Sequence, residues 1–471
     1  MQFTSLTYAL LLGITLLACV RLRGEKRVLA LIAASLTFYG AYRIMFLGLL
    51  GISAAVDFLV GRALGQEQRP GHRRGLLGLS VVVNLGILGY FKYTNFFADV
   101  VRTGLGLSGG GELINVILPP GISFYTFQTM SYTIDVYRGR LEPAQSFSRF
   151  LLYVSFFPQL IAGPIERAGR LLPQFDRLVE RGRLFTVGLM PGLQLILWGL
   201  FKKVVIADHL SSVVESVYDS PTQADFWSAW VASYAFGVQI YCDFSAYSEI
   251  ARGSALLFGV RLVRNFDLPF VSRSPTDFWR RWHISLSAWF RDYVYIPLGG
   301  NRLGPYRTLA NVFVTMLLSG LWHGAGSTFV LWGAYQGLLL ISHTALSRLP
   351  NWQSLMARFG ALRKPVCWFA TWQLISLGWP IFRARDLEQT GSLISVMLNP
   401  LGALTPPNLP ETGILGWIAL FLAASILEER YRLLGAISRN RSLAISVYIA
   451  LAVISLTLGV QETQRFIYFQ F

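Results

Sequence analysis

Histidine is the side chain whose ordinary pKa, about 6.5, lets it take up and return a proton near neutrality, and this sequence holds only five of them. Two stand in settings that suit chemistry. His323 lies in Leu-Ser-Gly-Leu-Trp-His-Gly-Ala-Gly-Ser, inside a stretch from Thr308 to Ser347 that carries no charge besides its histidines. If Arg307 marks a membrane edge, the helical rise places His323 roughly 24 Å further in, deep in a hydrocarbon core of about 30 Å. An ionisable group at that depth faces a protein interior or a watery cavity. Gly324 and Gly326 would let a substrate approach closely. A buried histidine satisfied by a neighbouring carbonyl is an equal alternative. His283, in Arg-Arg-Trp-His-Ile-Ser-Leu-Ser, is an interfacial histidine or the partner of His323, one acting as base while the other orients a substrate. No compact ligand set such as H-E-x-x-H accompanies them, so no metal is expected. Asp243 is the single charge between residues 226 and 248. It needs a partner, and Gln239 and Tyr247 lie one helical turn to either side. A hydrogen-bonded knot between helices is the favoured role, with catalysis as the alternative.

The elements that must hold these residues are membrane helices. The chain of 471 residues is 53% hydrophobic and 14% charged, with mean hydropathy +0.48. A soluble domain carries about 25% charged residues. Windows free of charge run from Phe3 to Val20, Val28 to Tyr42, Gly75 to Phe91, Thr412 to Leu427 and Leu443 to Gln461. The forty-residue stretch from 308 to 347 predicts a helical hairpin, since one span needs about 20 residues. Ten to twelve transmembrane or re-entrant helices are expected in one domain covering 1–471. The first window lacks a basic start and a small-x-small cleavage site, which favours a retained anchor over a signal peptide. Net charge is +16, but the basic residues sit between apolar windows, as the positive-inside rule requires. Arg21, Arg23, Lys26 and Arg27 follow the first span, and Arg62, Arg69, Arg73 and Arg74 follow the third span, just before the window that opens at Gly75. Both clusters are then cytoplasmic, the N-terminus is periplasmic, and nucleic acid is excluded as a partner. Cys19, Cys242 and Cys367 are far apart and read as packing residues.

The segment 261–307 does not span. It holds eight arginines against three aspartates, interleaved with Phe266, Phe270, Phe278, Trp279, Trp282, Trp289, Phe290, Tyr293 and Tyr295. That mixture fits a cytoplasmic, interfacial segment, either anchored to lipid headgroups or walling a site for an anionic ligand. Leu298-Gly299-Gly300-Asn301-Arg302 could turn tightly and offer backbone N–H groups to phosphate. A G-x-S-x-G string, Gly106 to Gly110, lacks the strand and helix that a nucleophile elbow needs, so Ser108 reads as a loop residue. No phosphate loop of the G-x-x-x-x-G-K-[ST] type occurs.

Three ordered segments resemble the bacterial branch of the membrane-bound O-acyltransferases. They are Pro120 to Gly139 (Pro-Gly-Ile-Ser-Phe-Tyr-Thr-Phe-Gln…Tyr-Arg-Gly), Gln239 to Arg302 (Gln-Ile-Tyr-Cys-Asp-Phe-Ser…Asp-Phe-Trp-Arg-Arg-Trp-His…Gly-Gly-Asn-Arg), and Leu321 to Gly337 (Leu-Trp-His-Gly-Ala…Trp-Gly-Ala-Tyr-Gln-Gly). The ending, Phe466 to Phe471, is also similar. The resemblance implies an all-α fold, its helices ringed around a central tunnel, with His323 as the essential histidine and His283 as a second one near the site. It implies acetyl transfer from acetyl-CoA or another cytoplasmic thioester, with no permanently bound cofactor. The acceptor would be an exported polysaccharide such as alginate or cellulose, reached with a periplasmic SGNH-type partner and the polysaccharide synthase and secretion complex in the inner membrane. Trp322, Arg280, Arg281, Asn301, Arg302 and Asp243 are the expected donor- and substrate-binding residues, the arginines forming a mouth for donor phosphates. Peptidoglycan or another envelope glycan is an alternative acceptor. A transporter or flippase is the alternative of another class; it predicts repeated halves and matched broken helices, neither of which is visible. A scaffold that has lost catalysis is a further alternative, against which the retained Trp322-His323-Gly324 argues.

Overall fold

The computed structural model describes residues 1–105, 116–180, 188–406, 413–432, 437, 439–460 and 466–467. The G-x-S-x-G string lies outside them. Among the described residues the secondary structure is helical throughout, with no strand.

Helix starts follow local chemistry. Ser5 opens α1 (Leu6–Arg21) by accepting the amide of Tyr8, and Asp386 opens α18 (Leu387–Met397) in the same way. Such caps satisfy amides that the first turn leaves without carbonyl partners. Pro119-Pro120 precedes a sharp entry into α5 (Ile122–Tyr137) at Gly121, whose φ is +78° and whose missing Cβ would meet Leu160 O at 2.6 Å. Any other residue there would be strained and would clash.

Four described helical stretches are long and apolar enough to cross a membrane: Met45–Gln66, Pro70–Arg102, Leu189–Asp219 and Ser327–Arg348. Leu6–Arg21 and Ser442–Leu458 are apolar but shorter. The first two apolar windows thus form helices of 16 residues, about 24 Å long and below the thickness of a hydrocarbon core. Exposed Leu6, Leu10, Ile14 and Leu17 line α1, an apolar stripe that water would not tolerate and lipid does. The protein is a multi-pass helical membrane protein.

The chain packs as two compact units. Unit 1 comprises 1–199 and 247–264 and contains α2 (Glu25–Gly40), α3 (Met45–Gln66), α4 (Pro70–Gly104), α6 (Phe147–Ser155) and α7 (Ala168–Glu180) with α1 and α5. Arg27, expected on a cytoplasmic surface, is fully buried there, and its guanidinium donates to the carbonyls of Cys19, Leu22 and Leu178. It closes the end of α1 instead of facing headgroups. Asp57 on α3 accepts from Asn84 on α4 at 2.7 Å and from Thr133 on α5 at 3.0 Å, knotting the three helices. In the turn after α6, Glu166 is fully buried and accepts the amide of Val263; burial raises its carboxyl to about 7.

Unit 2 comprises 200–246 and 265–471. It holds the end of α8 (Leu189–Phe201), a π-helical turn (Lys202–Ala207), α9 (Asp208–Asp219), the first part of α10 (Phe226–Leu257), α11 (Pro275–Arg281), α12 (Ile284–Phe290), α13 (Pro305–His323), α14 (Ser327–Arg348), α15 (Trp352–Ala357), α16 (Arg363–Leu377), α17 (Trp379–Arg383), α18, α19 (Gly413–Tyr431) and α20 (Arg441–Leu458). The predicted hairpin is α13 and α14. Glycines let them touch: a Cβ on Gly320 would lie 2.9 Å from Gly333 Cα, and one on Gly333 would lie 2.7 Å from Met316 O. Small residues at a helix crossing permit this close backbone approach.

Candidate functional site

His323 is the last residue of α13, and the helix breaks at Gly324, whose amide reaches back to Gly320 O. The imidazole is 6% exposed. Its ring centroid lies 5.1 Å from Trp322, 5.2 Å from Trp332 and 5.4 Å from Phe382. Gly324 does not clear a path for a substrate: a Cβ there would sit 2.0 Å from the Phe329 ring, so the glycine makes room for that phenylalanine. Phe329 in turn packs on Phe382 at 5.2 Å, and this aromatic wall fixes where His323 stands.

His283 arrives from the other direction. It precedes α12 in a left-handed conformation, φ 44°, ψ 54°, a strained state for a residue with a Cβ. Asn265 holds it there. The Asn265 backbone carbonyl accepts Ile284 N–H at 2.8 Å. Its side-chain Oδ1 takes the Ser285 amide at 3.2 Å and the Ser285 hydroxyl at 2.9 Å, and meets His283 Nδ1 at 3.2 Å. Because a backbone amide must be the donor to it, that Asn265 atom is an oxygen, so Nδ1 carries the proton and the lone pair lies on Nε2. Full burial pushes the imidazole down to about 3, so His283 is neutral under physiological conditions. Phe244 packs edge-on against it at 4.7 Å.

The two histidine rings lie 6.4 Å apart at 69°, and Trp322 borders both, 5.8 Å from His283. The structure thus unites His283 with Trp322 and His323, about forty residues later in sequence. Trp332, 1% exposed, adds an indole N–H that has no acceptor among the described residues.

Other expected site residues have other occupations. Arg281 bonds Asp277 at 3.0 Å and reaches Glu429 on α19 at 3.3 Å. Arg280, Asn301 and Arg302 are exposed, and no hydrogen bond joins them to either histidine. The turn at 298–302 does not cradle phosphate with its backbone. The amides of Leu298, Gly299, Gly300 and Arg302 donate to Val294, Ile296, Tyr295 and Gly299, and Asn311 grips the carbonyls of Leu298 and Gly300. Asp243 does form a knot, but not with Gln239 or Tyr247. Its Oδ1 pairs with Lys203 at 2.7 Å, its Oδ2 accepts the Ile467 amide at 2.8 Å, and Lys203 also pairs with Asp208 at 2.8 Å. In sequence Lys203 stands beside a second lysine, and no local motif marks it or Asn265 as a site residue. Among the described residues no group of three or more His, Cys, Asp or Glu could hold a metal.

Two buried histidines and two tryptophans thus meet at one site of a multi-pass helical membrane protein. Residues 140–378 match the model of the membrane-bound O-acyltransferase family. The probable alginate O-acetylase of Pseudomonas putida is 41% identical over 408 residues, covering 85% of this chain and 80% of its own length. That of Pseudomonas aeruginosa is 40% identical over 446 residues, 92% of this chain and 82% of its own length. The peptidoglycan O-acetyltransferase of Helicobacter pylori is 36% identical over 394 residues, 78% of this chain and 73% of its own length. The chain belongs to the membrane-bound O-acyltransferase family and is an acyltransferase.

Proposed function

We propose that this chain takes an acetyl group from a cytoplasmic thioester, acetyl-CoA, and passes it across the bacterial inner membrane to hydroxyls of an exported polysaccharide, alginate or a cellulose-like glycan. A periplasmic SGNH-type acetyltransferase and the polysaccharide synthase and secretion complex are its partners, and its N-terminus is periplasmic. Relatives named alginate O-acetylases, about 40% identical over most of the chain, support the acceptor class. The Helicobacter pylori relative keeps peptidoglycan as the second reading. The observation that carries the chemistry is the meeting of His323 with a neutral His283 whose lone pair lies on Nε2.

His323 acts as general base. It takes the proton of the attacking hydroxyl as oxygen bonds to the acetyl carbon, and it returns that proton to sulfur as the carbon–sulfur bond breaks, giving ester and thiol. His283, fixed by Asn265, accepts a hydrogen bond through Nε2 and orients the hydroxyl. The Trp332 N–H donates to the developing oxyanion, a role for which a preorganised, dry donor is worth most. Exposed Arg280, Asn301 and Arg302 attract the donor phosphates, with Trp322 bordering the acyl group.

Reconstitution in proteoliposomes with radiolabelled acetyl-CoA and a periplasmic-side glycan tests the reading. The expected result is label on the glycan from wild type and none from a correctly inserted His323→Ala variant. Normal acetylation by that variant overturns the assignment, and movement of an unmodified solute without donor would establish a transporter.

A further inference from the structure

Asp243, Lys203 and Asp208 form a buried group with two carboxylates on one ammonium, the side chains 3%, 9% and 2% exposed. Two carboxylates thus share one ammonium, and a low-dielectric interior favours further hydrogen-bond donors to their remaining oxygens. The donor present is a backbone amide from far along the chain: Ile467 N–H, 2.8 Å from Asp243 Oδ2. A second backbone bond, Val460 N–H to Val204 O at 3.1 Å, ties the same part of the chain to the π-helical turn that carries Lys203. Gly459 fits because a Cβ there would approach Val204 Cγ2 to 3.0 Å.

The residue before the anchored amide is Phe466, 5% exposed. Its ring lies 5.8 Å from Phe244, and Phe244 lies 4.7 Å edge-on from His283. Phe244 is also the sequence neighbour of Asp243. One turn of α10 thus grips the 466–467 segment by a carboxylate and presses its aromatic ring toward the histidine site through the next side chain.

We infer that Asp243 is a positioning residue: with Lys203 it clamps the backbone at Ile467, and through Phe466 and Phe244 that clamp sets the orientation of His283. Asp243 holds chain, not ligand. The activity side of this inference rests on the acetyl-transfer reading; the clamp itself does not.

The test pairs hydrogen exchange with kinetics on the full-length protein in proteoliposomes. In Asp243→Leu the peptide carrying Ile467 is expected to exchange at least about tenfold faster, because a charge-assisted hydrogen bond is lost. In Asp243→Asn, which keeps a carbonyl oxygen for that amide, exchange is expected to stay near wild type. With radiolabelled acetyl-CoA, Asp243→Leu and Phe466→Ala should each lower kcat by about ten- to a hundredfold, as small misplacements do, with KM for the donor unchanged. Their double variant should be no worse than either, and Asp243→Asn should recover most of the loss. Unchanged exchange at Ile467 in Asp243→Leu overturns the clamp. Multiplying losses in the double variant, or a raised KM with kcat kept, overturns the positioning role. Where Asp243→Leu does not fold, Phe466→Ala still tests the positioning role through kcat, and an unchanged kcat there overturns it. His323→Ala should abolish transfer while leaving Ile467 protected, so failure of the acetyl-transfer reading shows separately from failure of the clamp.

Discussion

Lys203→Met should destabilise unit 2 far more than loss of the acid it serves, and the geometry says by how much. The ammonium lies 2.8 Å from Asp208 Oδ1 and 2.7 Å from Asp243 Oδ1, so those two oxygens are at most 5.5 Å apart (2.8 plus 2.7). With the lysine gone, two carboxylates at that separation repel by about 3 kcal/mol at an effective dielectric of about 20. Removing one partner of a buried ion pair costs about 3–5 kcal/mol in general, and the two figures agree. Asp243→Asn differs in kind. It leaves Lys203 and Asp208 as a neutral pair and keeps an oxygen for Ile467, so its cost should be about 1–2 kcal/mol, that of one weakened charged hydrogen bond. Thermal unfolding of purified protein in detergent, followed by tryptophan fluorescence, reads the difference. The expected order is wild type, then Asp243→Asn a few degrees lower, then Lys203→Met lower by about 6–20 °C, on a scale of about 2–4 °C per kcal/mol for a body of this size. Neutralising both acids in the Lys203→Met background should recover much of the loss. A Lys203→Met protein that melts with wild type, or one more stable than Asp243→Asn, would refute the charge count.

Asn265→Leu removes the acceptor that fixes the His283 tautomer; acetyl transfer should fall by about a hundredfold, with protein amount in the membrane largely kept. Trp332→Phe keeps a ring and deletes the N–H, so kcat should fall about a hundredfold with KM for acetyl-CoA unchanged if the indole serves the oxyanion; an unchanged kcat removes it from that role. Gly324→Ala drives a methyl into the Phe329 ring and should cost about 1–3 kcal/mol by overpacking, seen as a lowered melting temperature. Stability should also depend on pH in both directions. Glu166, raised by burial from 4.5 to about 7, favours the folded state when protonated, so its contribution of about 3 kcal/mol is present below pH 4.5 and lost as pH rises through 7. His283, lowered from 6.5 to about 3, contributes stability above pH 6.5 that is lost as pH falls toward 3. Glu166→Gln should flatten the first limb of the stability profile and His283→Gln the second.

The membrane character, the helical hairpin and His323 were legible because each is a local signal. An apolar window, a forty-residue gap without charge and a histidine inside that gap need no knowledge of what packs where. The supporting residues were not legible, since each acts over a distance that sequence does not display. Asn265 lies 18 residues before His283, Asp243 pairs with Lys203 forty residues earlier, and Asp243 also takes an amide 224 residues later. The glycine beside His323 was misread for the same reason: its purpose depends on the position of the Phe329 ring. The basic segment 261–307 was half legible. Its charge is plain in sequence, but Arg281 and Arg291 pair with acids, and only the fold separates paired from exposed arginines.

A base that serves an alcohol and a thioester must hold its lone pair in a known direction while both reagents enter a dry site. Water would do neither, because it competes for the base and hydrolyses the ester. The chain answers the first need at the histidine that orients the hydroxyl in the reading proposed above, not at the base itself: Asn265 can accept but not donate at Oδ1, so His283 has one tautomer. It meets the second with rings. Trp322, Trp332 and Phe382 surround an imidazole that is 6% exposed, and aromatic side chains turn on two dihedrals without unfolding a helix. Both needs are met beside the break at Gly324 and the left-handed turn at His283. There the backbone departs from regular helix, and both imidazoles are buried in the protein interior.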